Sequence, residues 1–337
     1  MTAPALARPR RTLSVAGVAL VAFLALVLAR ATLPLIDGDV WWHLRAGDAV
    51  LRSHGVPRAD SWTLVGRGLP WISQDWLSNT LMAAVDRAGA TWGPTLLSLG
   101  FGLVTAAAFA LLAAGLRRRG STGWLGTIGW LTLGLVVAGP VIGVRVQTLD
   151  LLLAAAVVFA LWSYLADRRA RWLVSLPLLA VAWVNLHAGF PLLFLLGAGV
   201  IAGEGLDRLT GRRPPASTLT THQLARLTGA LLIAGAALLL NPNGAAIYGY
   251  PFATASVGAH RDFIFEWSRP DFSSFPGQAL FALLAIGVIP TLLVARRSMP
   301  AADALWLLGL TALALTAIRF VLVLGPIGAA ICALHLG

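Results

Sequence analysis

The chain has 337 residues, 58% of them hydrophobic and only 12% charged, with a net charge of +11. Its mean hydropathy is +0.80. Twenty-five basic and 14 acidic side chains cannot cover a soluble body of this length, which excludes a soluble enzyme, a disordered tail and a nucleic-acid module. An all-α, polytopic membrane protein is expected.

Every basic residue is Arg, so Lys-dependent Schiff-base chemistry and Walker-type phosphate binding are excluded. The single Cys, Cys332, lies in an apolar run and permits neither an internal disulfide nor a Cys-rich metal site.

In chain order, Arg8, Arg10 and Arg11 precede an apolar run at about 14–36. A cleaved signal peptide shares that pattern, but many further apolar runs follow. The run therefore reads as the first transmembrane helix, N-terminus inside. Residues 37–92 form a first large outer loop. Within it, 74–90 reads as an interfacial helix with Trp76, Leu77, Leu81 and Val85 at helical spacing. Spans follow at about 93–116, 122–139 and 147–166, with Arg145 in the turn before the last of these. A fifth and sixth, about 172–187 and 189–206, make a hairpin with Asn185, His187 and Gly189 at its bend. The seventh is about 224–240, residues 241–277 form the second outer loop, and the eighth is about 278–295. The remaining residues fit two short spans around Arg319. The expectation is about ten transmembrane helices and two large outer loops in one integral membrane domain, 1–337.

The charges sort by side. Fifteen Arg fall at 8–11, 117–119, 168–171, 208–226 and 296–297, with four acids. The other side holds ten Arg and ten acids. The whole excess lies on one side, which the positive-inside rule makes cytoplasmic. The pI of about 11.5 is then a topology signal, and no nucleic-acid partner is expected.

The outer loops hold the unusual chemistry. Asp37-Gly38-Asp39 lies immediately beyond the first span, where ionisable groups are costly unless paired, hydrated or useful. On a helix, Asp39 and His43 share a face. Either Asp suits a general base for an acceptor hydroxyl, or a ligand for a cation bridging phosphate oxygens. The plainer reading is that one Asp caps a short helix and pairs with Arg45. Seven of the 13 Trp lie in outer segments. An aromatic belt accounts for most of them, and stacking on a sugar or lining a lipid groove is the sharper role for one or two, Trp42 among them. The second loop carries His260-Arg261-Asp262 and Glu266-Trp267-Ser268-Arg269-Pro270-Asp271. It reads as a self-neutralised loop, or as the completion of one site. In the second case Glu266 is a metal ligand or second acid, and Arg261 or Arg269 a diphosphate clamp. Snorkelling explains Arg145, His187 or Arg319 singly. Together they ring an outer mouth suited to an anionic, phospholipid-like substrate.

The motifs Asp37-Gly38-Asp39-Val40-Trp41-Trp42-His43, Pro57-Arg58-Ala59-Asp60, Asp75-Trp76-Leu77, Asn185-Leu186-His187-Ala188-Gly189, Asn241-Pro242-Asn243-Gly244 and Glu266-Trp267 spread over 37–271. In these the chain resembles a group of bacterial multi-pass membrane proteins similar to the GT-C glycosyltransferase superfamily. The resemblance implies transfer of a sugar from a polyprenyl-phosphate donor to an acceptor on the outer face. In that superfamily, acids of the first outer loop act as catalytic base or metal ligand, a role that falls here on Asp37 or Asp39. A divalent cation, Mg or Mn, is the implied cofactor, with Asp39, His43 and Glu266 as its expected ligands. No nucleotide, haem or flavin is expected. The implied partners are a lipid-linked sugar donor and bilayer lipids, and the implied location is the bacterial plasma membrane. Many GT-C enzymes extend further, often with an outer soluble domain, whereas residues 1–337 read as membrane domain throughout. Two other readings stand beside this one. One is a non-catalytic membrane protein, either a lipid-linked glycan transporter or an assembly subunit. The other is a phospholipid-modifying phosphotransferase using the same acids and Arg residues.

Overall fold

Hydrocarbon offers no partner to a backbone N–H or C=O, and a helix satisfies both within one segment. The computed structural model, which describes residues 14–121 and 123–337, follows that rule. Among the described residues there are helices, turns and one isolated β-bridge, Ala59 to Pro70, but no strand. Arg8, Arg10 and Arg11 lie outside the described residues.

The helices are α1 (Val15–Ala31), α2 (Asp39–Ser53), α3 (Trp76–Gly89), α4 (Gly93–Arg118), α5 (Trp124–Ala138), α6 (Thr148–Asp167), α7 (Arg171–Leu186) and α8 (Pro191–Thr210). They continue as α9 (Thr221–Ala237), α10 (Ala246–Ala255), α11 (Gly258–Phe263), α12 (Phe275–Ala282), α13 (Ile289–Val294), α14 (Ala301–Thr316) and α15 (Val321–Leu336). Six helical segments are long and apolar enough to cross a bilayer: Trp76–Arg118, Trp124–Val141, Thr148–Asp167, Pro215–Leu240, Phe275–Val294 and Ile318–Leu336. α1, α7 and α14 are apolar but shorter. α8 carries Glu204, Asp207 and Arg208 in its last two turns.

Local chemistry sets several boundaries. α1 opens on Ser14, whose side chain accepts the Gly17 N–H at 3.1 Å. It ends at Ala31, short of the apolar run's end, because Pro34 disfavours helical backbone at the residue before it. α12 and α13 are joined by a π-helical turn, Leu283–Val288. Pro290 has no N–H and its ring crowds the carbonyl four residues back, and the wider turn accommodates both defects.

α3 and α4 are separate helices, as expected: Ala90, at φ +47°, opens a 3-10 turn, Ala90–Trp92, that breaks the helix between them, and α3 packs against α4. Its apolar stripe faces outward, with Leu81 and Val85 exposed. Ser78, Asn79, Met82 and Ala83 are buried instead, and α3 packs on α2. Lipid is as apolar as Leu, so the stripe gains nothing by turning inward, whereas polar side chains gain hydrogen bonds.

α15 is the central helix. The segment Ile318–Leu336 is 78% buried, against 17% for Pro215–Leu240 at the periphery. α15 packs on α4, α5, α6 and α14. Small residues permit the close approach that helices in lipid need for van der Waals packing. At the α5–α15 crossing, a Cβ on Gly134 or on Gly325 would stand 2.8 Å from the other's carbonyl oxygen.

The end of the body holding Arg117, Arg118 and Arg119 is tied by ion pairs. Arg118 meets Asp167 at 2.6 Å, and Arg119 meets Asp303 at 3.0 Å. His335 contacts the same Asp303 at 2.9 Å. Arg213 lies 3.2 Å from Glu204 and 3.4 Å from Asp207. Asp207 also accepts the Ala301 N–H at the start of α14.

Gly134→Val is expected to lower the melting temperature in detergent, at a cost of about 1–3 kcal/mol from overpacking. Gly129→Val on the same helix, where an added Cβ meets nothing within 4 Å, is expected to be neutral. Equal melting temperatures for the two variants would contradict the close crossing.

Candidate functional site

The polar residues of both large loops gather at the end opposite the Arg117–Arg119 cluster. The centre is Arg145, in the short turn between α5 and α6. Its guanidinium Nε contacts the Asp37 carboxylate and its Nη1 donates to Glu266. Gln147 donates to the other Glu266 oxygen. One cation therefore joins the first loop, the second loop and the helical body.

Asp37 also accepts the Asp39 N–H at 3.0 Å, which starts α2. The sequence pairs these acids with Arg45. The structure corrects this: the partner is Arg145, and Arg45 is exposed on α2 with no ion pair among the described residues. Asp39, in the first turn of α2, is exposed and likewise makes no ion pair among them.

The second loop docks through three adjacent residues. Glu266 reaches Arg145, Trp267 lies 4.4 Å from the Arg319 guanidinium, and the Ser268 carbonyl accepts the Ile318 N–H at 2.9 Å. His260 packs on Trp267 at 5.3 Å between ring centroids. Arg261 and Arg269 are exposed, with no ion pair among the described residues.

Further polar contacts lie among the same segments. His43 Nδ1 stands 2.7 Å from Asn79 Oδ1 and 3.3 Å from Asp75. Asn79 donates to Asp75 at 3.0 Å, closing the triangle. A Cβ on Gly47 would strike the Asn79 backbone, so only glycine lets α2 approach α3 closely enough. His187 Nδ1 lies 2.7 Å from Asp150, which also accepts the Trp183 indole N–H at 2.6 Å. Trp76 donates to Asn185 at 2.8 Å, and Asn241 donates to the Val184 carbonyl at 2.7 Å. The motifs scattered over 37–271 thus meet in one polar lattice.

Trp42 packs with Trp62 and Trp71, ring centroids 5.4–5.8 Å apart. They line a cleft with Asp75 and Trp76, whose free volume of about 10 Å³ is near that of one water. Asp60 accepts from Trp62 N–H, Thr63 N–H and the Thr63 hydroxyl, and so shapes the loop.

Among the described residues, no three His, Cys, Asp or Glu side chains group as a metal site. Of the ligands expected for a cation, Glu266 spends its oxygens on Arg145 and Gln147, and His43 Nδ1 faces Asn79 and Asp75.

Asn79, Asp150 and Gln147 were not singled out by sequence reasoning, and Asp75 was noted only within a motif, with no role. Asp75 and Asp150 each sit at the start of an apolar helix. An acid there, four residues from an Asn or one turn from a Gln, was the available signal.

Burial opposes a charged His43, but the Asp75 hydrogen bond and charge, with Asn79 and Asp39, outweigh it and raise its pKa above 6.5. Burial likewise opposes a charged Asp75, but the His43 hydrogen bond and charge, with the charge of His187, outweigh it and lower its pKa below 3.8. No family model and no curated protein matches the chain.

The sign of the pH dependence follows. The raised His43 pKa contributes stability that is complete below pH 6.5 and lost as pH rises through the folded value. The lowered Asp75 pKa contributes stability present above pH 3.8 and lost as pH falls through its folded value. Detergent-solubilised protein is therefore expected to lose melting temperature as pH rises above 6.5, and Asp75→Asn should flatten that slope. A slope unchanged by Asp75→Asn would place its origin elsewhere.

Proposed function

We propose that the protein is a GT-C-like inverting glycosyltransferase of the bacterial plasma membrane, with about ten spans and a cytoplasmic N-terminus. It moves a sugar from a polyprenyl-phosphate donor to an acceptor on the outer face. The observation that carries this reading is an exposed Asp39 two residues from Asp37, which with Glu266 is held on the Arg145 guanidinium.

In this reading the donor phosphate takes the place of the Glu266 carboxylate on Arg145 and Gln147. Both groups are anionic oxygen acceptors, and a guanidinium fork suits either. Asp37 is held on Arg145 and positions that guanidinium. Asp39, hydrated and without a cationic partner, takes the proton from the acceptor hydroxyl. The hydroxyl oxygen bonds to the anomeric carbon as the carbon–oxygen bond to phosphate breaks. The lipid phosphate leaves with that electron pair, its charge stabilised by Arg145 and the nearby Arg319. No step is routed through a cation, since no three His, Cys, Asp or Glu side chains group together among the described residues.

A non-catalytic role in lipid-linked glycan transport or assembly is the second reading. It is favoured by His43, His187 and Asn185, each bound to protein side chains as in a scaffold.

The test is transfer by purified protein from labelled polyprenyl-phosphate sugars. Asp39→Asn is expected to lower kcat by about 100-fold or more, the usual loss for a general base, with donor KM little changed. Arg145→Gln is expected to raise donor KM. Full activity in the double Asp37→Asn, Asp39→Asn variant would sink the catalytic reading. Donor binding that needs Arg145, with no transfer by the wild type, would support the second.

A further inference from the structure

At the opposite end of the body, the Arg117-Arg118-Arg119 triplet is divided. Arg118 is taken by Asp167 and Arg119 by Asp303. Arg117 is exposed and has no acidic partner among the described residues. It lines a cavity of about 120 Å³ between α1, α4 and α5, well beyond the roughly 10–15 Å³ that admits a single water. Leu20, Leu116 and Ile128 form apolar walls of this cavity, and Ser121 and Thr127 bring hydroxyl groups 3.2 Å apart. Trp124 stands at its rim residues, where an indole is at home in the interface between hydrocarbon and water.

We propose that this groove binds one anionic phospholipid by its headgroup phosphate. An uncompensated guanidinium between helices attracts an anionic headgroup, and two hydroxyls beside it can donate to phosphate oxygens. The apolar walls favour a lipid over a free anion. So do the flanking surfaces, where Val18 on α1 and Leu125 on α5 are exposed as a lipid-facing surface requires. The occupant's acyl chains lie along these helices while its phosphate sits on Arg117. The inference is independent of the glycosyltransferase reading, since it uses none of that site's residues.

The test is native mass spectrometry of full-length protein titrated with phosphatidylglycerol, phosphatidylcholine or inorganic phosphate. One tightly held phosphatidylglycerol is expected, with phosphatidylcholine and phosphate held more weakly. Arg117→Gln should weaken that lipid about fivefold, the effect of one Arg charge near an anionic surface, and Arg117→Lys should retain much of the binding. Leu20→Trp should displace the lipid by filling the groove with no change of charge. Arg296→Gln, at another exposed Arg outside the groove, should leave it unchanged. Equal losses in Arg117→Gln and Arg296→Gln would overturn the proposal in favour of diffuse attraction. Unaltered binding in both Arg117→Gln and Leu20→Trp would overturn it outright. Phosphate binding as tight as the lipid's would reduce the groove to an anion site.

Discussion

A charge at the centre of a bilayer costs roughly 2.5–3.5 kcal/mol even by the mildest measure. That penalty organises this molecule more than any single apolar contact. Its helices are interchangeable in composition, and lipid satisfies their surfaces as well as protein does. What distinguishes one arrangement from another is where acids and guanidinium groups can meet. Asp167, Glu204, Asp207 and Asp303 each sit on an Arg at one end of the body. Asp37, Asp75, Asp150 and Glu266 find an Arg or a His at the other.

The two ends use this pairing differently. At the Arg-rich end, ion pairs join one helix to the next and act as staples. At the loop end, one guanidinium is shared by two carboxylates from segments far apart in sequence. Removing either carboxylate leaves the other still paired, so the cation keeps a partner throughout any exchange. This is the arrangement a transferable anion site requires. It is also why the exposed Asp39, and not the Arg145-bound Asp37, carries the proposed chemistry.

Much of the architecture was legible because hydrocarbon imposes long apolar runs, and Pro34 and Ser14 mark an end and a start. The stripe of α3 faces outward at Leu81 and Val85, as an interfacial helix requires. The polar lattice was legible as motifs but not as contacts. Asp37 and Arg145 are separated by more than 100 residues, as are Glu266 and Arg145, and spacing rules see only a few turns of helix. The local partner, Arg45, was the natural choice and the wrong one. The roles of Asp75 and Asp150 were missed for the same reason, since each gains its meaning from a histidine on a distant segment.

The central position of α15 has a consequence for how the protein is made. It follows every other described helix in the chain, so it leaves the ribosome after them. Until it arrives, the faces of α4, α5, α6 and α14 that pack on it have no α15 to cover them. The earlier helices therefore wait for the last one to close the bundle. Gly134 and Gly325 are where that closure is tightest. Closure of this fold thus follows the synthesis of α1 to α14 and waits on α15.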